Sequence, residues 1–120
     1  MHQSIFSSFK VAFEGILYAL RQNRNMRIQF VVAIIVVLAS LFFRVNPYQM
    51  GILAVVILLV IVTEMINTSF EEMIDLITIE HRKEAKAAKD VAAGMVLVAA
   101  IGSVIVGILI FTPYILRFLQ

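Results

Sequence analysis

The sequence contains no cysteine among its 120 residues, which excludes a disulfide framework and thiolate chemistry. It also contains neither G-x-x-x-x-G-K-[ST] nor G-x-G-x-x-G, the glycine-rich loops that hold phosphates in many soluble nucleotide-binding proteins. Charged residues make up only 15% of the chain, whereas 62% is hydrophobic. The mean hydropathy of the chain is +0.98. A soluble domain of 120 residues has too little interior to bury so much apolar surface. We therefore predict a single integral membrane domain over residues 1–120.

Hydrophobic runs divide the chain into one amphipathic segment and three membrane spans. Residues 4–21 repeat apolar side chains at helical spacing beside a polar face, which predicts a helix lying in the membrane interface. A helix packed against the other helices would show the same pattern. Longer apolar runs predict transmembrane helices over 26–45, 48–77 and 85–117. The predicted fold is an all-α integral membrane protein, with an N-terminal amphipathic interfacial helix and three transmembrane helices.

The basic residues predict the orientation of this arrangement in the membrane. Of the ten Lys and Arg residues, only Arg44 and Arg117 lie on one side of the three spans. Positive residues accumulate in short cytoplasmic segments, so the N-terminus and the 78–88 loop are predicted to be cytoplasmic. The end of the second span and the start of the third then face the compartment that holds nucleotides.

The stretch Thr63–Leu76, TEMINTSFEEMIDL, carries the strongest functional signal. On a helix, its polar side chains fall within roughly 100° of arc. They are Glu64, Asn67, Thr68, Glu71 and Asp75. Solvation at a helix end accounts for Glu72, but Glu64 lies deeper, after a long apolar run. From the residues alone it is a candidate general base, part of an ion pathway, or a structural partner of Lys89.

Lys89 and Asp90 form a second polar cluster, at the start of the third span. Alone, such a pair is equally typical of an interfacial anchor and a helix N-terminal acid. Opposite Glu71, the pair would complete a set of two carboxylates for Mg²⁺ and one ammonium for phosphate. Phosphoryl transfer requires these parts, because metal ions and cations neutralise the phosphate charge.

Two motifs stand at a specific spacing, and two weaker ones precede the first span. The motifs are Glu64-x-x-Asn67-Thr68-Ser69-Phe70-Glu71 with Asp75-Leu76, then Ala88-Lys89-Asp90-Val91-Ala92-Ala93-Gly94, and earlier Phe9-Lys10-x-Ala12-x-x-Gly15 and Asn25-x-Arg27-Ile28. In these motifs, and over nearly its whole length, the chain resembles the bacterial diacylglycerol kinase/undecaprenol kinase family. These are small trimeric integral-membrane lipid kinases that are unrelated to soluble kinases. The residues of these two central motifs resemble those of the undecaprenol branch of the family more closely than those of its diacylglycerol branch.

The resemblance implies an ATP- and Mg²⁺-dependent lipid kinase of the bacterial cytoplasmic (inner) membrane, acting in lipid metabolism as a homotrimer with composite sites. It implies transfer of the γ-phosphoryl group of ATP to the hydroxyl of a membrane lipid alcohol. Undecaprenol is the favoured acceptor and diacylglycerol the alternative, and no nucleic-acid partner is implied. Independently of the family, only the four-residue spacing of Ala99, Ser103 and Gly107 indicates helix association.

The resemblance also assigns roles to individual residues of this sequence. Glu64 is implied as the general base towards the lipid hydroxyl, with Asn67 supporting it. Glu71 is implied to hold Mg²⁺ together with the ATP phosphates. The residues implied to contact the nucleotide are Glu71, Glu80, Arg82, Lys89 and Asp90.

One departure from the family concerns metal binding. Where the family typically has a metal-binding Glu, this chain has Asn23, and the family's frequent His is replaced by Gln29. An asparagine offers Mg²⁺ a neutral oxygen but no charge. We therefore expect Asn23 to bind the metal more weakly, or Glu14 to substitute for it. The alternative function is a catalytically weakened or inactive membrane oligomer of the same fold. An ion-conducting bundle is disfavoured, because the third span is almost bare of polar residues beyond Asp90.

Overall fold

The computed structural model describes residues 4–120, and the regular structure within them is entirely α-helical. Four helices follow one another along the chain: α1 (Ile5–Gln22), α2 (Arg24–Phe42), α3 (Pro47–Ile77) and α4 (Lys83–Phe118). The last three are long and apolar enough to cross a membrane. The predicted all-α class and its three apolar spans are confirmed. We call the end of the bundle with residues 78–82 the loop end, and the end with residues 43–46 the turn end.

A single residue, Asn23, separates α1 from α2. Its extended backbone ends α1, and its N–H donates to the carbonyl of Ala19 at 2.9 Å. Its side-chain oxygen accepts from the backbone N–H of Met26 at 3.2 Å, and this caps α2. Asparagine is among the best N-cap residues, because its short side chain reaches an unpaired helix N–H. The corner between the two helices therefore fixes the Asn23 side chain in one orientation.

The turn end is tied together by Tyr114. The side chain of Asn46 caps α3 by accepting from the N–H of Gln49 at 2.9 Å, and Pro47 occupies the first turn, where its missing N–H costs nothing. The Tyr114 hydroxyl on α4 accepts from the N–H of Asn46 at 3.1 Å and donates to Oε1 of Gln49 at 2.7 Å. Arg44 lies in the left-handed region at φ 53°, which costs about 1 kcal/mol for a residue with a Cβ. The bonds to Tyr114 help to hold this turn closed.

Helix α3 is the centre of the bundle, because it packs against each of the other three helices. A small apolar core of Val45, Leu53 and Ile110 lies at the turn end. Aromatic rings pack edge-on around it, at Phe42, Phe43, Phe111 and Phe118. Most other large apolar side chains of the spans are exposed in the single chain. Such surfaces suit helices surrounded by lipid, in which exposed apolar side chains carry no penalty.

Candidate functional site

The buried polar side chains concentrate on one stretch of α3. Thr63, Glu64, Asn67 and Thr68 are all buried, and Glu64 is only 1% exposed. A buried carboxylate requires partners, because leaving it without hydrogen bonds is costly. Nδ2 of Asn23 supplies one by donating to Oε2 of Glu64 at 2.9 Å. The corner between α1 and α2 is therefore hydrogen-bonded to α3 through Glu64, the most deeply buried acid of the described chain.

Thr68 completes this arrangement one turn further along α3. The same Nδ2 of Asn23 lies 2.9 Å from Oγ1 of Thr68 and donates to it. The Thr68 hydroxyl in turn donates to the backbone carbonyl of Glu64 at 3.0 Å. Shared bonds of this kind remove rotamer freedom, so the Glu64 carboxylate is held in a fixed position beside α2.

Asn67 carries an unused hydrogen-bond acceptor in the same cluster. Its side chain is 8% exposed, and its Oδ1 has no hydrogen-bond partner. Its Nδ2 donates a long bond to Oε1 of Glu71 at 3.5 Å. An unsatisfied buried acceptor costs about 1–3 kcal/mol, so native proteins retain one where something else completes it. A carbonyl oxygen beside a carboxylate fits a hard cation or a donating hydroxyl.

These oxygens are the part of the chain that fits Mg²⁺. The described residues contain no group of three or more His, Cys, Asp or Glu side chains that could hold a metal ion by themselves. Asn67 and Glu71 offer oxygen donors, and such sites commonly take further ligands from substrate phosphates. These two side chains would therefore hold Mg²⁺ only together with oxygens supplied by a ligand such as a phosphate.

A cavity of about 270 Å³ opens next to Glu64 and Asn67. Small and apolar residues of α4 also line it: Ala93, Val96, Leu97 and Ala100. Gln29 of α2 lines this cavity and also lines a second one of about 370 Å³, which is almost wholly apolar and lies between α2, α3 and α4. A polar chamber that adjoins an apolar groove has the shape required by a ligand with a small polar head and a hydrocarbon tail.

The loop end holds a larger polar pocket of about 620 Å³, which we call the loop-end pocket. Four residues predicted to contact a nucleotide line it together: Glu80, Arg82, Lys89 and Asp90. Arg82 donates through Nε to Oε2 of Glu80 at 3.2 Å, and Asp90 accepts from Nζ of Lys86 at 2.6 Å. The short connection between α3 and α4 brings these residues together, although they lie up to ten positions apart in the sequence.

Lys89 connects the loop-end pocket to the acid stripe of α3, the helix face that carries Glu64, Glu71 and Asp75. Its ammonium donates to Oδ1 of Asp75 at 2.7 Å, and it lies near enough to Glu71 to interact with that charge. Glu71 itself does not line the pocket. It accepts the long bond from Asn67 and lies between Asn67 and Asp75 along α3. The structural ion pair between Glu64 and Lys89 is not formed, because each of these side chains bonds another partner.

Sequence analysis missed two contacts between helices. One is the pairing of Asp75 with Lys89. The other places Tyr18 of α1 against Glu72 of α3, the acid that was attributed to simple solvation. Hydrogen bonding to the Glu72 carboxylate, then burial and its negative charge, raise the pKa of the Tyr18 hydroxyl above its ordinary value of 10.0. Helical periodicity identifies polar faces but does not tell which two faces meet.

The fold and the site together define a helical membrane protein with a buried acid cluster next to a charged pocket. The family model described as "Prokaryotic diacylglycerol kinase" matches residues 10–111. The chain therefore belongs to the prokaryotic diacylglycerol kinase family.

Two relatives have names that describe an activity. A protein of Synechocystis sp. named "Diacylglycerol kinase" is 37% identical over 111 residues, which cover 92% of this chain. A protein of Bacillus subtilis named "Undecaprenol kinase" is 38% identical over 108 residues, 90% of this chain. The alignments span 63% of the length of the Synechocystis relative and 88% of that of the Bacillus relative.

Proposed function

We propose that this protein is a lipid kinase that transfers the γ-phosphoryl group of ATP to the hydroxyl of a membrane lipid alcohol. The observation that carries the proposal is the position of the buried Glu64. It lines a cavity together with Asn67, whose Oδ1 has no partner, and that cavity shares Gln29 with the apolar groove. The loop-end pocket begins further along α3, at Ile74. Membership of the family and the names of the two relatives support the same activity.

Glu64 is the proposed general base. Its carboxylate accepts the proton of the lipid hydroxyl as the oxygen attacks the γ-phosphorus and ADP departs. The bond from Asn23 to the Glu64 carboxylate, and that from Thr68 to the Glu64 backbone carbonyl, support this role because they restrict the position of the acid. Asn67, whose Oδ1 is buried without a partner, is proposed to support the reaction.

Glu71 and Asn23 are the proposed protein ligands of Mg²⁺. When bound, Mg²⁺ neutralises charge on the transferring phosphates. Glu71 contributes a charged oxygen. The Oδ1 of Asn23 caps α2 with one lone pair, and a carbonyl oxygen has a second. The free oxygen of Asn67 supports a cation at this place, since it is otherwise an uncompensated buried acceptor.

The loop-end pocket is the proposed site of ATP, with Glu71 at its border. Arg82 and Lys89 supply positive charge for phosphates, whereas Glu80 and Asp90 offer acceptors for the nucleotide. Glu80 also holds Arg82, and Asp90 holds Lys86. The basic residues that adjoin the pocket also support a cytoplasmic location of this end, as the positive-inside rule requires.

Undecaprenol is the proposed acceptor, and diacylglycerol is the alternative. The apolar groove next to Glu64 supports a hydrocarbon-bearing acceptor, and the relative named for undecaprenol matches this chain over most of both lengths. Exposed Phe6, Phe9 and Phe13 on α1 support a position of that helix in the membrane interface, where lipid would enter. We also propose a homotrimer in the bacterial cytoplasmic membrane, as the resemblance to the family implies. The residues themselves support only helix association, through the four-residue spacing of Ala99, Ser103 and Gly107.

One assay tests the activity. Purified protein in lipid micelles receives γ-labelled ATP and Mg²⁺ with undecaprenol, with diacylglycerol, or with no added lipid. We expect label in undecaprenyl phosphate, less label in phosphatidic acid, and none in a Glu64→Gln variant. Label in neither lipid from correctly assembled protein would overturn the proposed function.

The second candidate is a weakened or inactive oligomer of the same fold. Asn23 favours it, because a neutral amide stands where the family typically has a charged metal ligand and this amide is engaged by Glu64. This candidate predicts little or no transfer even at high Mg²⁺ concentration and recovery in an Asn23→Glu variant. It is rejected if the unaltered chain turns over as fast as that variant at saturating Mg²⁺.

A further inference from the structure

Asp75 and Lys89 form the ion pair that connects the acid stripe of α3 to α4. The Nζ of Lys89 lies 2.7 Å from Oδ1 of Asp75, across the loop-end pocket that both residues line. The two side chains are 41% and 64% exposed. Exposed ion pairs of this kind contribute little to stability, so the pair is better explained by what it does to the pocket.

The surroundings of Lys89 make Asp75 hard to replace. On α4 the residues three and four positions away are Ala85, Lys86, Ala92 and Ala93, none of which is an acid. Asp90 is already bonded to Lys86 at 2.6 Å. Glu71 acts on Lys89 only through its charge, so Asp75 is the carboxylate that holds the Lys89 ammonium by a hydrogen bond within the described chain. Without it, four rotatable bonds would leave this ammonium free to turn away from the pocket towards solvent.

We propose that Asp75 is a positioning residue, which orients the Lys89 ammonium for the phosphates of a nucleoside triphosphate. The inference rests on the proposed function, which assigns Lys89 to the nucleotide. An ammonium has three donors, so Lys89 keeps two for phosphate oxygens while one is held by Asp75. Fixing a flexible cation before the ligand arrives reduces the entropy lost on binding.

The sign of the effect separates this role from simple electrostatics. Asp75 is negative and lies in a pocket for a polyanion, so its charge alone weakens nucleotide binding. Removal of that charge would then strengthen binding. A positioning role predicts the opposite, namely weaker binding, since the cation loses its orientation.

The test compares Asp75→Ala, Asp75→Asn, Lys89→Ala and the double variant Asp75→Ala/Lys89→Ala. Glu84→Ala is the matched control, because Glu84 is an exposed acid on the first turn of α4 that does not line the loop-end pocket.

Two readouts are measured on the assembled full-length chain in lipid micelles. They are the dissociation constant of MgATP by titration calorimetry and the KM and kcat of lipid phosphorylation. We expect Asp75→Ala to raise both the dissociation constant and KM roughly tenfold, the effect of one lost charge-assisted hydrogen bond, with little change in kcat. Asp75→Asn keeps an acceptor oxygen and recovers part of the loss. Adding Asp75→Ala to Lys89→Ala causes no further change.

Three results would overturn the proposal: unchanged or tighter binding in Asp75→Ala, additive losses in the double variant, or the same loss in Glu84→Ala. Failure of the proposed function looks different. In that case the unaltered chain transfers no phosphoryl group to either lipid, while the calorimetric comparison of the variants still decides the role of Asp75.

Discussion

The Nδ2 of Asn23 donates a hydrogen bond to Oε2 of Glu64 at 2.9 Å, and the oxygen of the same amide caps α2. One side chain therefore joins the corner between α1 and α2 to the proposed base on α3. A glutamate at this position would bring a second carboxylate next to Glu64, and the two would repel each other unless a cation lay between them. The amide removes that repulsion and reduces the dependence of this corner on a bound ion.

The exchange Glu64→Gln tests the proposed base. Glutamine has the same shape and can accept the amide hydrogen of Asn23 with its carbonyl, so the fold and the assembly are expected to remain. Phosphoryl transfer to lipid is expected to fall by roughly a hundredfold or more, since the group cannot take up a proton. Glu84→Gln serves as the control for a remote acid. Full turnover by Glu64→Gln, measured with labelled ATP, would reject the assignment.

The exchange Asn23→Glu tests the metal site. A charged oxygen binds Mg²⁺ more tightly than a neutral one, so we expect half-maximal activity at roughly tenfold less Mg²⁺. The melting temperature of this variant should also rise on addition of Mg²⁺ without nucleotide, because the ion relieves the repulsion with Glu64. Asn23→Gln, which has the length of Glu but no charge, is the control. An unchanged Mg²⁺ dependence removes Asn23 from the metal site.

Truncation at Asn23 should cost more stability than truncation at the other capping asparagine. Asn46→Ala loses the cap of α3, for which about 1 kcal/mol is typical. Asn23→Ala loses a cap and also leaves the buried Glu64 without its donor, which adds about 1–3 kcal/mol. Unfolding of both variants in mild detergent by a denaturant titration gives the comparison. Equal destabilisation of the two would show that the bond to Glu64 contributes nothing.

Tyr114→Phe should weaken the turn end without affecting catalysis. The hydroxyl makes two hydrogen bonds, to Asn46 and Gln49, and their loss should lower the free energy of unfolding by about 1–2 kcal/mol. The turn end is opposite the loop-end pocket, so kcat and KM should stay unchanged. Tyr48→Phe is the matched control, because Tyr48 is 88% exposed. A loss of turnover in Tyr114→Phe at normal stability contradicts this division between the two ends.

Attachment of α1 to α3 should be sensitive to alkaline pH. The pKa of Tyr18 is raised above 10.0 by Glu72, so the contact stabilises α1 while the phenol is protonated. This contribution is complete below 10.0 and is lost as the pH rises through the raised value, where the phenolate is repelled by Glu72. A fluorophore on Ser8→Cys reports the mobility of α1 by anisotropy in detergent, since the chain has no cysteine of its own. In Tyr18→Phe the transition should disappear, whereas a transition that persists unchanged assigns it to another group.

The sequence predicts the helices of this fold well, because hydropathy and periodicity are local properties. It also predicts the acid stripe, since Glu64, Asn67 and Glu71 share a helix face whatever surrounds them. Residues of the loop-end pocket follow from the short connection between α3 and α4. The assigned roles of these residues, and the metal ligands among them, stay predictions until the variants above are measured.

The contacts between helices could not be predicted in the same way. Asn23 is the single residue between α1 and α2, and the sequence does not show that its side chain also bonds Glu64 on α3. The pairs Tyr18–Glu72 and Asp75–Lys89 depend on how each helix is rotated about its own axis. That rotation is set by packing over the full length of α3 and has no local signature in the sequence.

The position of the proposed base along α3 makes a prediction about its depth in the membrane. Glu64 follows the first residue of the helix by 17 positions, or roughly 26 Å along its axis, against a hydrocarbon thickness of about 30 Å. With Pro47 at the opposite boundary and α3 upright in the membrane, the acid would lie just inside the edge of the acyl region. In a bilayer with longer acyl chains Glu64 would lie deeper in the hydrocarbon, and in one with shorter chains it would lie nearer the headgroups. Turnover should therefore depend on bilayer thickness as well as on the acceptor.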